Sequence, residues 1–343
     1  GHVLEQMIRD LKFTNELPVE HMWRILQPRM ETTRRELAKE FGCSPEEMAI
    51  VRNASEANEI MIYGIDLKKG DEVIVTNQNY GRMIATWQQR ERREGIVLKQ
   101  VAFKVPPPSD QYIVDQFAAA ITPRTRVIEV THITNLTGQI MPVREIMRLA
   151  KPRGIEVFVD GAHAFGQWPM KRDEMEVDFY GTSLHKWLHA PIGAGFLYVR
   201  REKIPKLWPL MAAAESQTAD IRKYEEIGTH PQANFNAVSA ALAFSQGIGL
   251  DRKIARFHQS IIETLGRPWM GLNHIRAHGD CMHDRKDFGF PIIGNFNLFE
   301  IGPQTFAMIR TIQKAFQLFQ LPIHAPSMAS SSIFLQIFCF HLK

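Results

Sequence analysis

The feature that most restricts how this chain can fold is an alternation of short apolar runs with amphipathic segments of helical period. A helix opens near Ser55, followed by a strand over 72–76, a helix over 82–93, a strand over 96–102 and a helix over 110–121. The pattern continues with a strand over 126–131, a helix over 143–151 and a strand over 155–160. Strands separated by helical crossovers run parallel, so the order predicts an α/β architecture with a mainly parallel sheet covered on both faces. Two later apolar runs, 178–181 and 193–199, are too close together for a helical crossover. They are expected to pair antiparallel, at or near the sheet edge.

The flanks differ. Residues 3–41 carry apolar positions at helical spacing, and Ser44-Pro45-Glu46-Glu47 reads as a capping box with proline at the first helical position. An N-terminal helical segment (1–44) thus leads into a large domain (45–250). Helices over 234–247 and 253–265 are followed by strand-like 296–301, a helix over 305–319 and strand-like 333–340. This change of pattern predicts a small α+β C-terminal domain (251–343).

Composition excludes several classes. A hydrophobic content of 45% and a charged content of 23% suit a globular chain of 343 residues rather than a disordered one. The net charge of +4 is spread among residues of both signs, so neither nucleic acid nor an anionic membrane is expected as a partner. The densest cluster, Arg90-Glu91-Arg92-Arg93-Glu94, mixes signs and is expected to be a solvated helix face. Cys43, Cys281 and Cys339 are odd in number and form no CxxC pair, which fits a reducing, cytoplasmic setting. No apolar run reaches the ~18 residues that span a bilayer. The opening residues show no signal-peptide pattern, although a removed targeting segment stays open.

The chemistry concentrates in Val157-Phe158-Val159-Asp160-Gly161-Ala162-His163 and Ser183-Leu184-His185-Lys186-Trp187. An acid at the C-terminal end of a parallel strand lies where α/β sheets bind ligands. A lysine among apolar residues is desolvated, which favours its nucleophilic amine. Pyridoxal 5′-phosphate (PLP) needs both groups, a lysine for an imine with its aldehyde and a carboxylate to keep a proton on the pyridine nitrogen. Taken singly, Asp160 is an ordinary strand terminus and Lys186 an ordinary solvated lysine.

With VDGAHAFGQ followed by DFYGTSLHKWLHAPIGAGFLYVR, the chain resembles the class V aminotransferase superfamily of fold-type I PLP-dependent enzymes, in particular its isopenicillin N epimerase-like branch. The likeness extends over about residues 45–250 and implies a fold-type I transferase architecture with PLP on Lys186. Arg52-Asn53-Ala54-Ser55-Glu56-Ala57 stands at a strand-to-helix turn, where N–H groups and the helix dipole hold anions. There the resemblance assigns the cofactor phosphate to Ala54 and Ser55. It assigns ring stacking to Tyr80, contact with the ring hydroxyl to Asn135, a place beside the ring to His163, and further phosphate contacts to Ser183 and His185. Gly228-Thr229 corresponds to a segment reaching the phosphate of the neighbouring subunit's cofactor, which implies a homodimer with shared active sites.

The implied substrate is a small amino acid. Displaced by it, Lys186 would take the Cα proton while the ring paired with Asp160 holds the charge; transamination, epimerisation and loss of a β-substituent all branch from that point. Cys339, inside Ile337-Phe338-Cys339-Phe340, reads as a core residue rather than a desulfurase nucleophile. Aminotransferase or epimerase chemistry is therefore expected, with a PLP-dependent carbon–sulfur lyase or a non-catalytic binding relative as the alternatives. The arginine that clamps the substrate carboxylate in the family, and its N-terminal cleft segment, have no recognisable counterpart. His185 and His189 lack the glutamate of an HExxH zinc site, and His274, His278, Cys281 and His283 fit no standard metal spacing, so no metal is expected. The phosphate loops of nicotinamide and nucleoside triphosphate sites are absent from the sequence.

Overall fold

The computed structural model describes residues 1–256. Helix α1 (His2–Glu16) stops at Leu17, before Pro18, which has no N–H to continue the ladder. A π-helical stretch, Val19–Leu26, runs directly into α2 (Gln27–Phe41), which ends on left-handed Gly42. The reciprocal Ser44–Glu47 cap forms, but it encloses a single 3-10 turn, Pro45–Glu47, instead of a longer helix. The next residues, β1 (Met48–Val51), are all buried and are drawn into the sheet.

The predicted alternation then appears as α3 (Ala54–Gly64), β2 (Glu72–Thr76), α4 (Gly81–Glu94), β3 (Val97–Val101), α5 (Asp110–Ala120), β4 (Thr125–Thr131), α6 (Val143–Ala150) and β5 (Glu156–Asp160). Two short helices, α7 (Arg172–Met175) and α8 (Leu184–Trp187), flank β6 (Phe179–Ser183). After β7 (Gly195–Val199) comes the long α9 (Gln232–Ile248).

The seven strands form one sheet in the order β1-β7-β6-β5-β4-β2-β3. From β6 to β3 all pairs are parallel, while β7 is antiparallel to both β6 and β1. The expected antiparallel pair therefore exists near the edge, and β1 takes the edge itself. One core layer packs α2, α5, α6 and α9 residues such as Leu37, Phe41, Phe117, Ile146 and Val238 against one face. On the other, Ala57, Met61 and Trp87 from α3 and α4 pack against Val127, Phe158 and Phe179. Helices α1 and α2 both lie against α9.

In the charged run 90–94, Arg92 and Arg93 are exposed as expected, but Arg90 departs from the solvated face. Arg90 is 4% exposed and donates to the carbonyls of Ile62 and Ile65 while pairing with Glu94. It shares the inward face of α4 with Met83, Thr86 and Trp87, so helical period decides its position against its charge. Its guanidinium satisfies carbonyls at the end of α3 that would otherwise be orphaned.

The helix expected over 253–265 is already under way at 250–256. Its remainder, the predicted C-terminal elements and Cys281, Cys339, His274, His278 and His283 lie outside the described residues. Among the described residues no helix is long and apolar enough to cross a membrane.

Candidate active site

Strands β1, β2, β4, β5 and β6 point the same way, so their C-terminal ends share one sheet edge. That edge collects the turn before α3, the turn holding Tyr80, the loop holding Asn135, and the residues Asp160, His163, Ser183, His185 and Lys186. Two glycines let the layers close around it. A Cβ on Gly161 would fall 2.0 Å from the Tyr180 ring, and one on Gly181 would fall 2.7 Å from the Ala57 side chain on α3.

Asp160 ends β5 and is 2% exposed. Its Oδ1 accepts the Ala162 N–H at 3.0 Å. Burial raises its pKa, opposed by the Ala162 N–H, the charge of Lys186 and a hydrogen bond from Asn58 on α3. Such a carboxylate gains from a cationic N–H partner, as a protonated pyridine nitrogen would be.

Lys186 stands in the short α8, with its Nζ 2.9 Å from Nε2 of His163. Trp187 Nε1–H donates to the other imidazole nitrogen, Nδ1, at 3.4 Å. Burial, then the charges of Lys186 and His185, push the His163 pKa down to about 3. A neutral imidazole carries one N–H. With Nδ1 accepting from Trp187, that proton sits on Nε2, and the lysine nitrogen can accept it only in an uncharged form such as an imine. From the 250–256 helix, Lys253 donates to the carbonyls of Trp187 (2.7 Å) and Gly166 (2.8 Å), holding this turn in place.

At the turn before α3, Asn53 caps the helix by accepting the Glu56 N–H, and Ser183 Oγ accepts the Ala54 N–H at 2.9 Å. Ala54 and Ser183 are thereby brought together, with the half-buried Ser55 beside them. Two polar atoms of the predicted set, Asn135 Oδ1 and His185 Nδ1, are buried without a hydrogen-bond partner. Burial also lowers the His185 pKa, helped by Lys186 and opposed by a backbone hydrogen bond. Orphaned polar atoms around a buried acid and a lysine are unspent binding capacity that suits a polar ligand such as PLP. Tyr80, the residue before α4, is 42% exposed.

Gly228 and Thr229 are not part of this cluster. They line a separate cleft with Met22, Trp23, Arg222 and His230. The sequence reading also missed Asn58 and Trp187. Asn58 lies one helical turn beyond Ala54, a spacing that could have pointed to it; Trp187 offers no signal beyond adjacency to Lys186.

The aminotransferase class-V family model matches residues 3–288. Isopenicillin N epimerase of Amycolatopsis lactamdurans is 29% identical over 278 residues, covering 75% of this chain and 70% of that protein. The Streptomyces clavuligerus isopenicillin N epimerase is 33% identical over 194 residues, covering 56% and 48%. A probable cysteine desulfurase of Synechocystis is 28% identical over 258 residues, covering 71% and 60%. The chain thus spans from about half to seven-tenths of these relatives' lengths. Among solved structures, a C-DES variant with glycine covalently linked to its PLP cofactor matches with a TM-score of 0.70 at 23% identity, over 77% of this chain and 73% of that one. The Escherichia coli cysteine desulfurase CsdA matches with a TM-score of 0.64 at 20% identity, over 77% and 71%. These likenesses show the fold, a fold-type I α/β architecture, and the family match supplies what fold alone does not. The chain belongs to the class-V aminotransferase family, and PLP is the cofactor that this membership implies.

Proposed function

We propose that this protein is a PLP-dependent enzyme that acts at the Cα of an amino acid, of aminotransferase or epimerase type. The observation that carries this reading is the contact of Lys186 with His163 at the sheet edge where Asp160 lies buried. Bound there, PLP would supply an electron-accepting ring that stabilises negative charge at the substrate Cα.

The residues present fit that group. Asp160 holds a proton at the pyridine nitrogen, and the neutral His163 lies beside the ring with its Nε2–H toward the lysine nitrogen. Lys186 Nζ is both the attachment point and the base for the Cα proton. The α3 turn at Ala54 and Ser55, with Ser183 and His185, binds the phosphate. Asn135, with its Oδ1 unpartnered, would hold the ring hydroxyl, and Tyr80 would supply an aromatic ring to the cofactor. Gly228 and Thr229, which line the separate cleft, would serve the site of a second copy in a homodimer.

A second reading, a PLP-dependent carbon–sulfur lyase, is favoured by the cysteine desulfurases among the relatives. The first experiment is the visible absorbance of the purified protein with added PLP, before and after borohydride, beside Lys186→Ala. A band that borohydride abolishes and the variant lacks is expected; its absence overturns the reading. Amino acids in deuterated water then separate the outcomes. Deuterium at Cα with inversion marks an epimerase, 2-oxo acid a transaminase and released sulfide a lyase. Cofactor without any Cα exchange marks a binding protein.

A further inference from the structure

Asp160 has a buried carboxyl neighbour that the mechanism above does not use. In the β4–β5 register Glu129 stands opposite Phe158 and Thr131 opposite Asp160. Side chains alternate along a strand, and directly paired residues share a face, so Glu129 and Asp160 project from the same face of the sheet. Glu129 lies two residues deeper and is 1% exposed.

Its surroundings are poor in donors. Trp87 Nε1–H, from α4, donates to Oε2, while Oε1 is buried without a partner. The Trp87 ring lies nearly parallel to Phe158, 6.4 Å away, which fixes the indole. The Asn79 side-chain amide donates to the Glu129 backbone carbonyl rather than to its carboxyl. The titratable group acting on Glu129 is Asp160 on β5. Asp160, by contrast, has the Ala162 N–H, the Asn58 amide and the charge of Lys186.

Two carboxyl groups on the same face of adjacent strands in a dry interior do not both ionise cheaply, and the charge settles where donors and a cation compensate it. We propose that Glu129 and Asp160 form a coupled acid pair, in which Glu129 keeps the proton and so confines the negative charge to Asp160. Glu129 is thus a positioning residue for the charge that faces the cofactor ring, a role that rests on the PLP reading. Burial, then the charge of Asp160, raise the Glu129 pKa to about 8, with the Trp87 bond opposing.

The test is infrared difference spectroscopy of the full chain with and without PLP, following the protonated-carboxyl C=O stretch against pH. A protonated-carboxyl band is expected that titrates near pH 8 and is lost in Glu129→Gln. In Asp160→Asn the same band should titrate lower by about one pH unit or more, because the neighbouring charge is gone. Absence of a Glu129-dependent band overturns the proposal, as does a band indifferent to Asp160→Asn. The cofactor-free titration needs no PLP, so failure of the cofactor reading, judged by the borohydride-sensitive absorbance, is seen separately. With PLP bound, the visible absorbance should change through the same pH interval, and Glu129→Gln should abolish that change; a change that persists in the variant overturns the positioning role.

Discussion

Nζ of Lys186 and Nε2 of His163 stand 2.9 Å apart, and the indole of Trp187, the next residue, holds the far side of the same imidazole. The lysine and the tryptophan come from one turn of helix, so α8 grips His163 from both sides of its ring. This fixes which nitrogen carries the proton. Replacing His163 by Phe keeps a ring but removes both contacts. His163→Phe is expected to bind PLP, with its visible absorbance retained, and to lose about 10²-fold in kcat. Because burial keeps the imidazole neutral down to about pH 3, the wild-type rate profile should carry no limb from His163 between about pH 5 and 8. Rate profiles of the two proteins should therefore share one shape in that interval, and a limb lost in the variant would contradict the assignment.

Ser183 joins the end of β6 to the start of α3 by accepting the Ala54 N–H. Ser183→Ala leaves that buried donor without its acceptor, at a cost of about 1–3 kcal/mol. Urea unfolding of the cofactor-free protein measures this. If the same turn holds the phosphate, the variant also loses PLP faster on dialysis than the wild type.

Much of this site was legible because the residues that make it stand at strand ends, and strand ends follow from hydrophobic period. Asp160 and Ser183 are fixed by where Val157-Phe158-Val159 and Phe179-Tyr180 stop being apolar. The antiparallel pairing of β6 and β7 followed from a connection too short for a crossover. Residues whose position contradicts their chemistry were not legible. Arg90 looks like surface until its helical phase is set by Trp87, and a sheet covered on both faces gives no reason to expect a buried acid such as Glu129 within β4. The Ser44–Glu47 cap was read correctly as a cap, but a cap reports where a helix starts, not how long it lasts. Its length is set by the pull of β7 on Met48–Val51.

Arg34 ties α2 to the edge strand β1 and to Glu225. It is fully buried on α2, donates to the Met48 carbonyl at 2.6 Å and pairs with Glu225, which also accepts the Ile50 N–H. Arg34→Ala strands a buried carboxylate and should cost about 3–5 kcal/mol in urea unfolding. The double variant Arg34→Met with Glu225→Gln should recover part of that loss, since Gln removes the unpaired charge and keeps an acceptor for Ile50. A double variant no more stable than Arg34→Ala would assign the cost to lost packing instead.

The pH dependence of stability separates the buried histidines from the buried acid by sign. Burial lowers the His132 pKa to about 4 from an ordinary 6.5, so below pH 6.5 the unfolded chain takes up a proton that the folded one refuses. The stability linked to His132 is full above about pH 6.5 and falls, by up to about 1.4 kcal/mol per pH unit, as the pH drops toward 4. Glu129 acts in the opposite direction. With its pKa raised from 4.5 to about 8, the folded state binds the extra proton, so its contribution is full below 4.5 and is lost as pH rises through 8. Carboxylates such as Glu31 and Glu72, held down to about 2 by their arginine and lysine partners, keep their contribution until the pH falls below about 4.5. His163 and His185, also lowered by burial, act in the same interval and with the same sign as His132, so each contribution is read from its own variant between pH 6.5 and 4.5. Measured by urea unfolding there, His132→Phe should flatten the loss of stability with falling pH, and Glu129→Gln should steepen it. The changes in slope, not the absolute stabilities, carry the result, because losing the 3.0 Å contact between His132 and the Tyr180 hydroxyl weakens the fold at every pH. Slopes that change in the same direction for both variants would mean that at least one of these groups is not buried in the protonation state assigned to it.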